Sequence, residues 1–166
     1  RTQLFNIHTL EWDDDMLELF NIPKSMCPTA LPSSGHFCTI ERKDFFGGVA
    51  VPITGCIGDQ QSATFGQCCF EPGMCKMTYG TAGCMLMNIG EEPISSKNDL
   101  LLTIGWGLDG KVEYIYEGTV YNAGSSIQWL RDEMDMIDST PDSEYYAAKS
   151  ELPRGYVYVV PAFSGL

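Results

Sequence analysis

The chain has 166 residues, of which 44% are apolar, and a formal charge of −12. That length holds one ordinary domain or two unequal pieces, and that apolar share builds a packed core rather than a disordered chain. A surface this acidic repels a nucleic-acid backbone and an anionic bilayer alike, so neither is expected as a partner.

In chain order, "RTQLFNIHTL" is not a basic-then-apolar leader, and without an initiator Met it is expected to begin inside a longer protein. Asp13, Asp14 and Asp15 then precede "MLELF", which predicts a short helix whose amino end the acids favour. Pro23, Pro28 and Pro32 punctuate a loop to about residue 34, and residues 35–46 are weakly patterned. Residues 49–57 are rich in β-branched side chains and read as a buried strand, followed by a helix over about 59–68. Pro72-Gly73 is the strongest turn signal in the middle of the chain, and the domain boundary is set there: residues 1–70, then 71–166.

Past that point "MCKMTYGT" and "CMLMNIG" read as two strands around the small residues 80–83. "LLLTIGWGL" and "KVEYIYEG" flank Asp109-Gly110, a hairpin signal. Residues 119–138 start in Gly and Ser and continue as an amphipathic helix, "PDSEYYAAKS" is a second short helix, and "GYVYVVPAF" closes as a buried strand. The fold class is therefore α/β, a mixed sheet with flanking helices. No apolar run reaches the roughly 18–20 residues of a membrane span. The seven cysteines are odd in number and show no C-x-x-C, so reduced thiols are expected and no metal site.

Three stretches bear on chemistry. In "GDQQSATFG" a strand empties into a helix through Gly58-Asp59. Asp59 serves there either as the helix N-cap or as a carboxylate at the carboxyl end of a strand, where α/β sheets bind ligands. Gln60 beside it suits a polyol hydroxyl, though taken alone it reads more readily as a solvated first-turn residue. "TYGTAG" leaves backbone amides and the Thr81 hydroxyl accessible to phosphate, or is an ordinary reversal between strands. "NAGSSIQWL" offers a helix amino end to a phosphate, or a flexible entry to a core helix.

Together with "GDQQSATFGQCCFEPGMCKMTYGT", "MLMNIGEEPISS", "TIGWGLDGKVEYIYEG", "AGSSIQWLRDEM" and "YVYVVPAFSGL", these stretches resemble the central part of the glycerol kinases. Those are FGGY sugar kinases of the actin-like, ribonuclease-H-like ATPase superfamily. The resemblance implies a fragment that joins the end of the first FGGY domain to the start of the second. It also implies an ATP-dependent transfer of the γ-phosphate to glycerol, with Mg2+ in the intact cytoplasmic enzyme. Asp59 matches the base for the attacking hydroxyl, and Gln60 a glycerol-binding residue. Thr81 and Ala82 match the phosphate loop, and Gly124 and Gln128 match nucleotide-binding positions. Cys84 falls on the wall of the glycerol pocket.

Two positions depart from the family's usual "YGTGCF": Ala82 replaces a glycine beside phosphate, and Cys84 replaces a phenylalanine beside glycerol. Residues 35–46 lack the family's Gly-Gly-Thr-Arg effector segment, so regulation by fructose 1,6-bisphosphate is not expected. The family's first phosphate loop and the Arg-Glu pair of its glycerol site are also missing from this sequence, so the isolated chain is expected to be inactive. A related polyol or ketose kinase, a non-catalytic remnant acting as an interaction module, and homo-oligomerisation of the intact enzyme stay open.

Overall fold

The computed structural model describes residues 2–42, 44, 46–151, 158–163 and 165. Strands β1 (Phe5–Asn6) and β2 (Glu11–Trp12) form a small antiparallel pair, with the Phe5 and Trp12 rings in edge contact at 5.5 Å. Helix α1 (Asp14–Leu19) follows directly. Asp13 is its N-cap, accepting the Met16 amide at 3.0 Å, and Asn6 Nδ2 donates to its other oxygen at 3.0 Å. The acidic run thus starts the helix as its sequence predicts.

The weakly patterned stretch after the proline loop contains a strand, β3 (Ser34–Ile40), paired antiparallel with β4 (Val51–Gly55). Both strands are largely exposed, and the register slips between Ser34 and Cys38. That explains why no alternation marks β3 in sequence, and it corrects the expectation of a buried strand at 49–57. Helix α2 (Asp59–Gly66) leaves β4 after a short link. Its chain reverses at Cys68, where φ is 59°, with the Cys69 amide returning to the Thr64 carbonyl at 3.2 Å.

Strands β5 (Cys75–Tyr79), β6 (Gly83–Gly90), β7 (Leu101–Leu108) and β8 (Lys111–Val120) form a four-stranded sheet in the order β5-β6-β8-β7. The β7–β8 hairpin turns at Asp109 and Gly110, with φ of 52° and 79°. Two successive positive angles make the type I′ turn that Asp-Gly favours. Helices α3 (Gly124–Asp132) and α4 (Asp142–Lys149) complete the elements, so α3 is shorter than the 119–138 expected. Of the closing strand, residues 155–157 lie outside the described residues. Residues 158–163 are irregular, with Tyr158 81% exposed, against the buried strand expected.

The described chain divides into two compact units: residues 1–76 with 86–117, and residues 77–85 with 118–166. The first holds the buried apolar side chains Leu17, Cys69, Leu86, Trp106, Tyr114 and Ile115. Phe65, Phe70 and Trp106 meet edge-to-face at 5.0–6.4 Å, closing α2 over β7. Asn88 is fully buried, and both ends of its side-chain amide are hydrogen-bonded. Its side chain donates to the Cys69 carbonyl at 3.0 Å and accepts the Gly90 amide at 2.7 Å, while its carbonyl takes the Gly73 amide at 2.8 Å. In the second unit Trp129 on α3 stacks on Phe163 at 5.0 Å. None of the seven cysteines is in a disulfide; only Cys69 is buried.

Candidate active site

In the first unit, β4 delivers the chain to the start of α2. Gly58, not Asp59, is the N-cap, with φ −65° and ψ 150°, and no side chain caps the helix. Glycine is an accepted N-cap because its carbonyl alone starts the ladder, here taking the Ser62 amide at 2.7 Å. Asp59 is the first helical residue and is exposed. Its backbone carbonyl accepts the Ser62 hydroxyl at 2.8 Å. The capping alternative is thereby corrected: the Asp59 carboxylate is not spent on the helix's first amides.

Gln60, half-buried, is held at both ends. Its carbonyl accepts the hydroxyl of fully buried Thr64 at 2.9 Å, and its side-chain Oε1 accepts the ammonium of Lys76 on β5. Sequence reasoning missed Lys76, because a lysine in a strand ordinarily reads as solvent-facing. The available signal was its place in "CKMTY", where a charge interrupts a strand three residues after Gly73 of the Pro72-Gly73 turn. A buried ammonium is costly unless its donors are taken, so such a break implies polar partners. Next in the helix, Gln61 is buried and its Oε1 has no hydrogen-bond partner. It borders a cavity of about 440 Å³ shared with Leu102, Thr103 and Glu117; neither Asp59 nor Gln60 lines it.

In the second unit, the turn between β5 and β6 is stitched to the amino end of α3. The Thr81 carbonyl accepts the amides of Ala123 at 2.9 Å and Ser125 at 3.2 Å, and the Ser125 hydroxyl at 3.2 Å. The Gly80 carbonyl accepts the Gly124 amide at 2.8 Å. Thr81, Ala82 and Gly124 are therefore neighbours, although they lie some forty positions apart in sequence. The amides of Gly124 and Ser125, the first two of α3, are taken by these carbonyls. The Thr81 side chain remains exposed, as does Gln128, one turn into α3. Ala82 is half-buried and does not take a positive φ, so its methyl imposes no backbone strain of the kind its family glycine would avoid. Cys84 is half-buried on β6.

Comparison with known proteins follows the same two-part division of motifs. Residues 1–66 match the N-terminal domain of the FGGY family of carbohydrate kinases, and residues 75–166 match its C-terminal domain. All 166 residues align at 57% identity with a glycerol kinase of Thermus thermophilus and with one of Geobacillus kaustophilus, covering 33% of each. The chain thus spans about a third of the length of these curated relatives. Among solved structures, the Plasmodium falciparum glycerol kinase with ADP superposes with a TM-score of 0.85 at 37% identity, over 91% of this chain and 30% of that one. The xylulose kinase of Rhodospirillum rubrum superposes with a TM-score of 0.71 at 19% identity, over 92% of this chain and 31% of that one, a likeness of fold. The α/β, actin-like kinase fold expected from the motifs is the one observed, and the chain belongs to the FGGY family of carbohydrate kinases.

Proposed function

We propose that the chain is a segment of an ATP-dependent glycerol kinase, which transfers the γ-phosphate to glycerol to give sn-glycerol 3-phosphate. The observation that carries this is identity of 57% with glycerol kinases along every one of the 166 residues. The domain boundary at residues 70–71 is part of the same proposal, supported by the gap between the two family matches.

In this reading Asp59 orients the attacking hydroxyl and accepts its proton. Its position supports that role, since the carboxylate is exposed and leaves the helix cap to Gly58. Phosphoryl transfer passes through a loose transition state, so alignment of the hydroxyl matters more than early deprotonation. Gln60 contributes a side-chain amide to the polyol. Thr81, Ala82, Gly124 and Gln128 contact the nucleotide, supported by the stitched arrangement of the first three. Among the described residues no group of three or more His, Cys, Asp or Glu could hold a metal ion. In this reading Mg2+ arrives with the nucleotide phosphates, the usual mode for this ion in kinases. When bound, the ion would neutralise charge on the phosphates. The same reading places the intact enzyme in the cytoplasm.

A related polyol or ketose kinase is the second reading, favoured by Ala82 and Cys84 at positions where the family's usual pattern has Gly and Phe. The test is ATP-dependent phosphorylation by the full-length protein of glycerol, xylulose and gluconate in parallel. Preference for glycerol by tenfold or more in kcat/KM is expected. Preference for a ketose moves the assignment to the second reading, and no turnover of any acceptor leaves the non-catalytic remnant.

A further inference from the structure

Lys76 is 2% exposed, and its ammonium donates to Oε1 of Gln60. An ammonium has three donors and no acceptor. The oxygen of the Gln60 amide must therefore face Lys76, and Nε2, with its two N–H groups, must point away from it. The two ends of a glutamine amide are nearly isosteric, so without a committed donor on one side the group turns over freely. Thr64 bonds the backbone carbonyl of the same residue at 2.9 Å, whereas the bond from Lys76 reaches the side-chain amide itself.

The chemistry at the start of α2 makes the flip consequential. Asp59 presents acceptors only, and it must take a proton from one hydroxyl of the acceptor substrate. Beside it, an amide with Nε2 outward offers donors to the oxygen of a neighbouring hydroxyl. With Oε1 outward it would instead offer another acceptor and compete with Asp59 for hydroxyl protons. A donor beside an acceptor engages one hydroxyl through its proton and the neighbouring one through its lone pair, whereas two acceptors can use only the hydroxyl protons.

We propose that Lys76 is a positioning residue for the acceptor substrate: it fixes the Gln60 amide with its N–H groups toward the polyol. This rests on reading Gln60 as a polyol-binding residue. Lys76, buried at 2% exposure, acts on the substrate through Gln60.

The experiment is a double-mutant cycle in the full-length protein, with Gln60→Ala, Lys76→Met and the double variant, measuring KM for glycerol and for ATP. KM does not depend on the fraction of enzyme folded, so partial loss of stability leaves the readout intact. Gln60→Ala is expected to raise KM for glycerol about tenfold, and Lys76→Met roughly three- to tenfold, with KM for ATP unchanged. In the Gln60→Ala background, Lys76→Met should add less than about twofold. Gln60→Glu, which keeps an acceptor for Lys76 but has no N–H, should raise KM for glycerol as Gln60→Ala does, and decides the matter if Lys76→Met does not fold. An undiminished effect of Lys76→Met in the Gln60→Ala background overturns the role of Lys76 and leaves that of Gln60 standing. Normal glycerol KM in Gln60→Glu overturns the donor orientation. Normal glycerol KM in Gln60→Ala overturns both the proposal and the reading beneath it.

Discussion

The amide of Gly124 donates to the carbonyl of Gly80 at 2.8 Å, and a Cβ on Gly124 would lie 2.5 Å from that same oxygen. No side chain fits there unless one backbone moves, because the obstructing atom is itself main chain. Gly124→Ala should therefore part the Gly80–Ala82 turn from α3. In the full-length protein KM for ATP should rise by about tenfold while KM for glycerol changes little. Ser125→Ala, which removes the 3.2 Å hydroxyl contacts to the Thr81 carbonyl and to Asn122 Oδ1 but displaces no backbone, should be far milder. Equal ATP affinity in the wild-type protein and Gly124→Ala would remove this junction from the nucleotide site.

Asp59→Asn separates catalysis from helix stability more cleanly than the sequence alone promised. Gly58 is the N-cap, so the substitution takes away no capping bond. Asn keeps the shape but cannot accept the hydroxyl proton. kcat should fall by about 10²–10⁴-fold with the melting temperature unchanged within error. A variant with near-normal kcat would assign the proton transfer elsewhere.

Asn88 tests the first unit's core. Its side chain serves a carbonyl at Cys69 and an amide at Gly90, and it is itself fully buried. Asn88→Leu is similar in size but strands both backbone groups. Each buried polar group left without a partner costs about 1–3 kcal/mol, so the urea midpoint of the chain should drop well beyond the shift of a surface variant. A shift no greater than that of Lys97→Ala, in a loop, would mean the network relaxes.

The carboxyl of Asp13 is held below the ordinary aspartate value, chiefly by the Met16 amide and then by Asn6. A depressed folded value stabilises the protein above the unfolded pKa of roughly 3.9, and that contribution is lost as pH falls through the folded value. The wild-type chain should therefore have a higher urea midpoint than Asp13→Ala at pH 7, and the gap should narrow below about pH 4. Tryptophan fluorescence can follow it, since Trp12 adjoins α1 and its ring nitrogen donates to the Pro28 carbonyl. A gap that persists unchanged at pH 2.5 would show that the cap's ionisation contributes nothing.

What was legible in the sequence is what is encoded locally. Asp109-Gly110 sets its own turn through two positive φ angles, and Asp13 sets its own cap. Strand β3 was not legible, because both its faces are largely exposed and its register slips, so no alternation of apolar residues survives. Lys76 was not legible as a site residue, because its role arises from burial against Gln60, sixteen positions away. The use of α3's first amides depends likewise on carbonyls at Gly80 and Thr81, which only the folded chain supplies. Motif resemblance named the site residues; tertiary hydrogen bonds assign them their neighbours.

The two departures at Ala82 and Cys84 make separable predictions. Cys84 is half-buried on β6, at the position where the family pattern has phenylalanine. If that position lines the polyol pocket, Cys84→Phe buries roughly 40–60 Å² of additional apolar contact. At about 25 cal/mol per Å² that is on the order of 1 kcal/mol, a several-fold fall in KM for glycerol. Ala82→Gly acts on the other substrate. Ala82 has no positive φ, so the glycine relieves no strain; if Ala82 meets the nucleotide as proposed, removing its methyl should lower KM for ATP alone. Ala82 in the turn and Cys84 on β6 are two residues apart, so their effects can couple, and the double variant measures that coupling. KM for both substrates in all three full-length variants is the measurement. A fall in glycerol KM confined to Cys84→Phe, and in ATP KM confined to Ala82→Gly, is expected. Unchanged glycerol KM in a normally folded Cys84→Phe would mean that this wall does not meet the polyol, and would favour the kinase of another acceptor.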